Sequence, residues 1–318
     1  MRSSYMLLLL SLALLFNACR DSDDTVYGVE NIDQEIVDET DQTDETDQNS
    51  EATVEPEGIP SLLFVDIENK VLNRIDLRTL EVTELFSVPN GPSGVLAYDP
   101  SEQRIYYTDY DNNGIIQNTL DGQNPVTIAQ SFDVRAMAIN PDSRELYYAS
   151  YSSDSVMAVS LDNYSVRTAI EGPGFNSYGN LQDMEYVNGQ IYSITPVQWK
   201  ESVSRASTST NEVTRVLNYS EAGYGYGIAV EPMNEFIYFN NVEQSAIMRS
   251  DLNGDNIETV IQLDKARVYG LVVDGIVEKI YWTTWGNQLG ISRLDGSGFQ
   301  VFSIPGAARN LIKVYLPE

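Results

Sequence analysis

Three stretches of this chain carry side chains that could do chemistry. Asp109-x-Asp111-x-Asn113-Gly114 has the oxygen spacing of the first half of a calcium loop. Position twelve of such a loop supplies a bidentate Glu, and here it is Leu120. The stretch therefore reads as a polar hairpin tip. Asp251-Leu-Asn253-Gly-Asp255 is a poorer copy, with Gln262 at the twelfth place. Gln182, Asp183 and Glu185 place three oxygen-bearing side chains within four positions. What is missing narrows the chemistry further. The 318 residues contain no His, which removes the Ser–His–Asp and Cys–His nucleophile sets and imidazole metal sites. A single Cys cannot make an internal disulfide. Forty-seven acidic against 19 basic residues give a net charge of −28, which argues against a nucleic-acid partner. Oxygen-ligand chemistry is the main catalytic route left open, and no complete set for it is visible.

The elements that must position these residues repeat. An aliphatic–aromatic pair opens a strand at Leu62-Leu-Phe-Val-Asp66, Ile105-Tyr-Tyr-Thr-Asp109, Leu146-Tyr-Tyr-Ala-Ser150, Ile191-Tyr-Ser-Ile-Thr195, Ile237-Tyr-Phe-Asn-Asn241 and Ile280-Tyr-Trp-Thr-Thr284, at spacings of 43, 41, 45, 46 and 43. A second apolar column lies 15 residues after most starts, at Leu77, Leu120, Leu161, Ala206 and Leu252, with Leu294 one residue early. Turn pairs follow it at Asp121-Gly122, Asp162-Asn163, Asn253-Gly254 and Asp295-Gly296. A small, apolar strand ending in a polar turn residue precedes the aromatic one, as in Gly94–Pro100, Ala136–Pro141 and Gly227–Pro232. Four short strands per 40–45 residues predict an all-β fold, a six-bladed β-propeller with four-stranded blades. The small strand is expected innermost and the aromatic strand second. Asn310–Tyr315 reads as an inner strand, so the C-terminal strand should close the first blade. Asp99, Asn140, Glu231 and Asp274 recur at the inner-to-second turn, where capping is their simplest role.

Ile105-Tyr-Tyr-Thr-Asp109 and Ile280-Tyr-Trp-Thr-Thr284 resemble the YWTD repeat, class B of the low-density lipoprotein receptor. The resemblance covers about 260 residues and all six repeats. It implies that the aromatics pack between blades and that the motif Asp bonds neighbouring backbone, although Asp survives only at Asp66 and Asp109. A propeller's binding face lies where loops enter the inner strands and leave the second strands. Tyr110, Arg135, Tyr151, Trp199, Tyr224, Tyr226, Arg267, Trp285 and Arg309 fall there. Aromatics with Arg on loops suit a protein or glycan contact surface. Gly223-Tyr-Gly-Tyr-Gly227 reads as the most mobile of these loops.

The N-terminal portion is different material. Met6–Phe16 is an 11-residue apolar run, too short to span a bilayer permanently but suited to a secretory signal. Ala18-Cys19 after it resembles a bacterial lipobox, which implies lipidation of Cys19 and removal of residues 1–18. Residues 20–58 hold 15 acidic residues and one Arg with no hydrophobic period, so 19–58 reads as a disordered acidic tether. Arg20-Asp-Ser-Asp-Asp24 resembles the export signal of Bacteroidota surface lipoproteins, implying an outer-membrane anchor and cell-surface display, with a periplasm-facing domain as the alternative. Residues 59–318, the propeller, carry 32 acidic and 17 basic side chains, a net of −15. The favoured expectation is a lipid-anchored, non-enzymatic binding module without a cofactor or catalytic residues. The alternatives are a metal-dependent propeller enzyme of the lactonase or lyase type and a docking subunit of an envelope complex.

Overall fold

The aromatic strands are apolar at nearly every position rather than alternating, which suits strands covered on both faces. In the computed structural model they lie second from the axis and are buried almost end to end. The structure describes residues 57–90, 93–151, 153–171, 181–195, 201–264, 267–284 and 287–317. Among these, 24 strands form six four-stranded antiparallel sheets.

Blade I is ordered β24 (Ile312–Leu316), β1 (Ile59–Asp66), β2 (Val71–Asp76) and β3 (Val82–Ser87). The C-terminal strand thus supplies the inner strand of the first blade, with Ile59 opposite Leu316 and Leu63 opposite Ile312. Blade II runs β4 (Leu96–Asp99), β5 (Arg104–Asp109), β6 (Gly114–Thr119), β7 (Val126–Gln130). Blade III runs β8 (Val134–Asn140), β9 (Glu145–Ser150), β10 (Val156–Ser160), β11 (Val166–Ile170). Blade IV runs β12 (Asp183–Val187), β13 (Gln190–Ile194), β14 (Glu201–Ser207), β15 (Val213–Asn218). Blade V runs β16 (Ile228–Glu231), β17 (Phe236–Asn241), β18 (Ala246–Asp251), β19 (Glu258–Gln262). Blade VI runs β20 (Val268–Asp274), β21 (Lys279–Thr284), β22 (Gln288–Arg293), β23 (Gln300–Ser303).

The core is not inside the sheets but between them. Each of six apolar clusters joins neighbouring blades: Tyr147 and Val156 of blade III pack with Met184 and Ile191 of blade IV, and Leu62 and Phe64 of blade I with Tyr281 and Leu289 of blade VI. Tyr106, Tyr147 and Tyr238 occupy the second position of their repeats and Trp282 the third position of its own, and all four are within 1% of full burial. They are structural, as the family resemblance implied. Burial fades toward the rim: β5 is buried at all but its first residue, whereas β7 exposes Val126, Thr127 and Gln130.

The polar residues at the inner-to-second turns cap them. Asp99 accepts from the Ser101 amide, Asn140 from those of Asp142 and Ser143, Glu231 from those of Met233 and Asn234, and Asp274 from those of Ile276 and Val277. At the opposite end, Asp66 accepts from the Glu68 and Asn69 amides and Asp109 from that of Asn112. Asn241 holds the Gln244 amide in the same way, so an Asn performs the motif's local task in blade V.

Candidate functional site

Inner strands run in one sense around a propeller, so their N-terminal ends share a face with the C-terminal ends of the second strands. Tyr110 follows β5 there and is 41% exposed; its ring meets Phe132 at 5.6 Å. Arg135, on β8, forks onto Asp133 with two contacts of 2.8 Å and lies 5.5 Å from the centre of the Tyr151 ring. Tyr151 is half exposed. One hydrogen bond from Nη2 and the ion pair with Asp133 hold the guanidinium beside the aromatic ring.

Across the mouth, the turn after β15 opens with α1 (Tyr219–Ala222), a single helical turn closed by a capping box between Asn218 and Glu221. From it the aromatic rings form a chain. Tyr219 stacks near Tyr224 at 6.5 Å, Tyr224 meets Tyr226 edge-on at 6.5 Å, and Tyr226 lies 4.8 Å from Tyr269 of β20. The reading of Gly223–Gly227 as a mobile loop is corrected here. Its backbone is pinned, with the Val242 amide bonding the Tyr224 carbonyl and the Asn240 amide the Gly227 carbonyl. The glycines permit close packing: a Cβ on Gly225 would stand 1.9 Å from the Asn240 carbonyl oxygen. Gly225→Ala is therefore expected to cost about 1–3 kcal/mol in a denaturant titration, since backbone rather than a side-chain tip must give way.

Arg267 is exposed beside this chain, and its guanidinium interacts with the Tyr269 hydroxyl and with Tyr226 and Tyr224. Arg309 precedes β24. Burial lowers its guanidinium from the ordinary value, the nearby tyrosine Tyr269 works the other way, and the charge of Arg135 lowers it further. Arg309 thus links the Tyr226–Tyr269 side of the mouth electrostatically to the Arg135–Asp133 side. The structure brings Arg135, Tyr151, Tyr224, Tyr226, Arg267 and Arg309 to one end of the ring, with Tyr110 at its margin. Trp199, Trp285 and Cys19 lie outside the described residues. Tyr269, Tyr219 and Asp133 escaped the sequence reading. Tyr269-Gly270 repeats Tyr226-Gly227 one blade earlier, and that alignment would have found it.

A cavity of about 1240 Å³ follows the axis and is lined by inner strands from all six blades. Among the seven described face residues, none lines it. Asp183 and Glu185 do. Alternate residues on β12, they reach across to blade V, where Asp183 Oδ2 accepts from the Ile228 amide at 3.1 Å and Glu185 Oε2 from the Val230 amide. Burial raises the Glu185 carboxyl to about 7 against the pull of the Val230 amide. Burial also raises Asp183 well above the carboxylate range, with the Glu185 charge adding to it and the Ile228 amide opposing. Among the described residues no three acidic or thiol side chains converge in a metal-holding group. Two carboxyl side chains fall well short of the six or more oxygens that a hard divalent cation takes, so this set does not fit an axial divalent site, and no metal-dependent step is derived.

The Glu185 shift has a measurable sign. The folded protein keeps a proton that the unfolded chain has released, so this group's contribution to stability falls as pH rises from about 4.5 through about 7. Glu185→Gln should match the wild type near pH 5 and exceed it near pH 8 by roughly 2–3 kcal/mol in urea unfolding. Equal curves at both pH values would refute the shift.

No family model matches the chain. Protein cueball of Drosophila grimshawi is 24% identical over 218 residues, 65% of this chain and 29% of that protein. Protein cueball of Drosophila virilis is 27% identical over 149 residues, 44% of this chain and 23% of its own length. The chain thus spans under a third of these curated relatives. Among solved structures, the nidogen/laminin complex aligns with a TM-score of 0.70 at 14% identity, over 81% of this chain and 100% of the matched one. Virginiamycin B lyase from Staphylococcus aureus aligns with a TM-score of 0.57 at 15% identity, over 80% and 94% of the two chains. The chain is a six-bladed β-propeller. At these identities the likeness establishes the fold alone.

Proposed function

We propose that this propeller is a non-enzymatic binding module that takes a protein or glycan ligand at the channel mouth formed by Arg135, Tyr151, Tyr224, Tyr226, Arg267 and Arg309. One observation carries the reading: aromatic rings and guanidinium groups from blades I, III, V and VI meet at one end of the ring, on a domain that is otherwise acidic. Planar guanidinium groups and Tyr hydroxyls recognise carboxylates, amides and sugar hydroxyls, and rings held by packing lose little entropy on binding. The fold likeness to the nidogen/laminin complex is consistent with this use. We also propose that lipid on Cys19 and an acidic tether hold the domain outside the cytoplasm, at the outer membrane.

The test is a pull-down from the native cell envelope with the folded propeller as bait. The triple variant Tyr224→Ala, Tyr226→Ala, Arg267→Ala should recover its ligand at least about tenfold less well, the loss of roughly 1.4 kcal/mol or more. Undiminished recovery by a triple variant with an unchanged melting curve would remove this face from consideration. Protease treatment of intact cells tests display separately: release of the propeller without lysis supports the surface placement, and resistance until lysis refutes it.

A further inference from the structure

The axial cavity is a second site with electrostatics opposite to those of the mouth. It reaches the end of the ring that carries the inner-to-second turns, where Pro100, Gln103 and Pro141 line it. Its wall is mainly aliphatic, with Leu96, Met137, Met184 and Leu271 from four blades. Its charged lining is Glu57, Asp183, Glu185 and Lys313. Lys313 is already committed: it pairs with Asp274 and donates to the Tyr315 hydroxyl at 2.7 Å. That leaves an excess of carboxyl groups in an apolar channel. Beside them, Asn310 donates through Nδ2 to Asp183 Oδ1 at 3.4 Å, and its own Oδ1 is shielded from solvent with no hydrogen-bond donor. An acceptor left in that state costs free energy that a donor-bearing ligand would recover.

We propose that the axial cavity binds a primary organic ammonium, its apolar body along the aliphatic wall and its N–H groups on Asp183, Glu185 and Asn310. An ammonium carries three donors and no acceptor, matching a wall of carboxylate and amide oxygens. A divalent ion suits it poorly, because a hard cation needs six or more oxygens and much of this wall is aliphatic. A neutral apolar molecule would leave Asn310 Oδ1 without a donor. The cavity volume accommodates an amine of six to eight carbons with room for water. The site stands independently of the mouth, since the described residues of the two do not overlap.

The experiment is calorimetric titration of the intact propeller with n-hexylammonium, n-hexanol and calcium ion. Saturable binding of the amine, at least about tenfold tighter than the alcohol, is expected and should strengthen from pH 6 to pH 8 as Glu185 loses its proton. Asp183, raised well above the carboxylate range by burial, is the neighbouring titratable group, while Lys313 and Asp274 pair with each other. Glu185→Gln keeps an acceptor for the Val230 amide, so it should fold, and it should weaken amine binding about tenfold and flatten the pH dependence. Ala138→Trp narrows the cavity and should abolish binding. Equal affinity for amine and alcohol, stoichiometric calcium binding that displaces the amine, or no saturation by the amine at all would each overturn the proposal. The amine–alcohol comparison on the wild type decides the matter even if either variant misfolds.

Discussion

Replacing Trp282 with alanine is expected to lower the unfolding free energy by about 3–5 kcal/mol. The indole is 1% exposed in β21 and packs with Tyr238, Ile247, Leu271 and Ile280, which belong to blades V and VI. Its cross-strand partner is Gly290, and a Cβ there would stand 2.0 Å from the ring. The ring therefore lies flat over backbone that has no side chain to fill the space it leaves. Phe299 stacks on the indole at 5.5 Å and is 47% exposed, so it covers the ring only from the solvent side. Relaxation into the hole is limited, which places the loss toward the upper part of the range. Urea unfolding with an unchanged m-value is the measurement. Val301→Ala is the control: at 44% exposed it should move stability by no more than about 0.5 kcal/mol. A Trp282→Ala loss below about 1 kcal/mol would mean that the blade interface does not carry the fold.

How much of this was legible in the sequence follows from where burial is complete. Inner and second strands are covered on both faces, so they leave unbroken apolar runs such as Ile105–Tyr107 and Ile280–Trp282. Those runs fixed the blade count, the strand order and the closure through the C-terminal strand. Outer strands leave weaker traces. In five blades the third and fourth strands shift register, as between Leu72 and Asn73 or Ile247 and Met248, and no residue type announces a bulge. Turns were legible only where Gly supplies the left-handed residue, as at Gly122, Gly254 and Gly296. At Asp162-Asn163 the positive φ falls instead on Tyr164. Gln103, Arg144, Glu235 and Glu278 also adopt it just before a second strand, against their intrinsic preference. There the turn is imposed by the pairing of the strands on either side, which local composition does not record.

The candidate face was legible as a list of loop residues but not as an arrangement. Propeller topology alone placed Arg135, Tyr226 and Arg309 at one end. It could not reveal that Arg135 is locked by Asp133, or that Tyr226 is wedged against Tyr269. Those relations depend on side-chain direction across blades separated by 40 residues or more. The axial carboxyls show the same limit. Asp183 and Glu185 stood out as oxygen ligands in the sequence, yet in the fold they bond amides of the next inner strand. A strand edge facing a channel has N–H groups without a ladder partner, and a neighbouring carboxylate is one way to satisfy them.

Closure of the ring gives the last large effect. Val314→Asp should destabilise the propeller by about 3–5 kcal/mol, the range for an unpaired buried charge. Val314 is 3% exposed, faces Ser61 across β1 and β24, and packs with Leu63, Leu96 and Tyr98 of blades I and II. A carboxylate there has no cation at hand, because the one nearby in sequence, Lys313, is held by Asp274. The consequence is more than a softened core. β24 is the contact between the two ends of the propeller's chain, so its loss would free the channel-side edge of β1 and open the ring. An exposed edge invites pairing with another copy. The variant should therefore show protease cleavage near residues 57–61 and a concentration-dependent oligomer by size-exclusion chromatography. Val314→Thr, nearly isosteric and uncharged, should keep the ring closed and the protein monodisperse at a cost of about 1–2 kcal/mol. A monomeric, protease-resistant Val314→Asp protein would show that the ring holds without this strand, and that the six blade interfaces suffice to keep it shut.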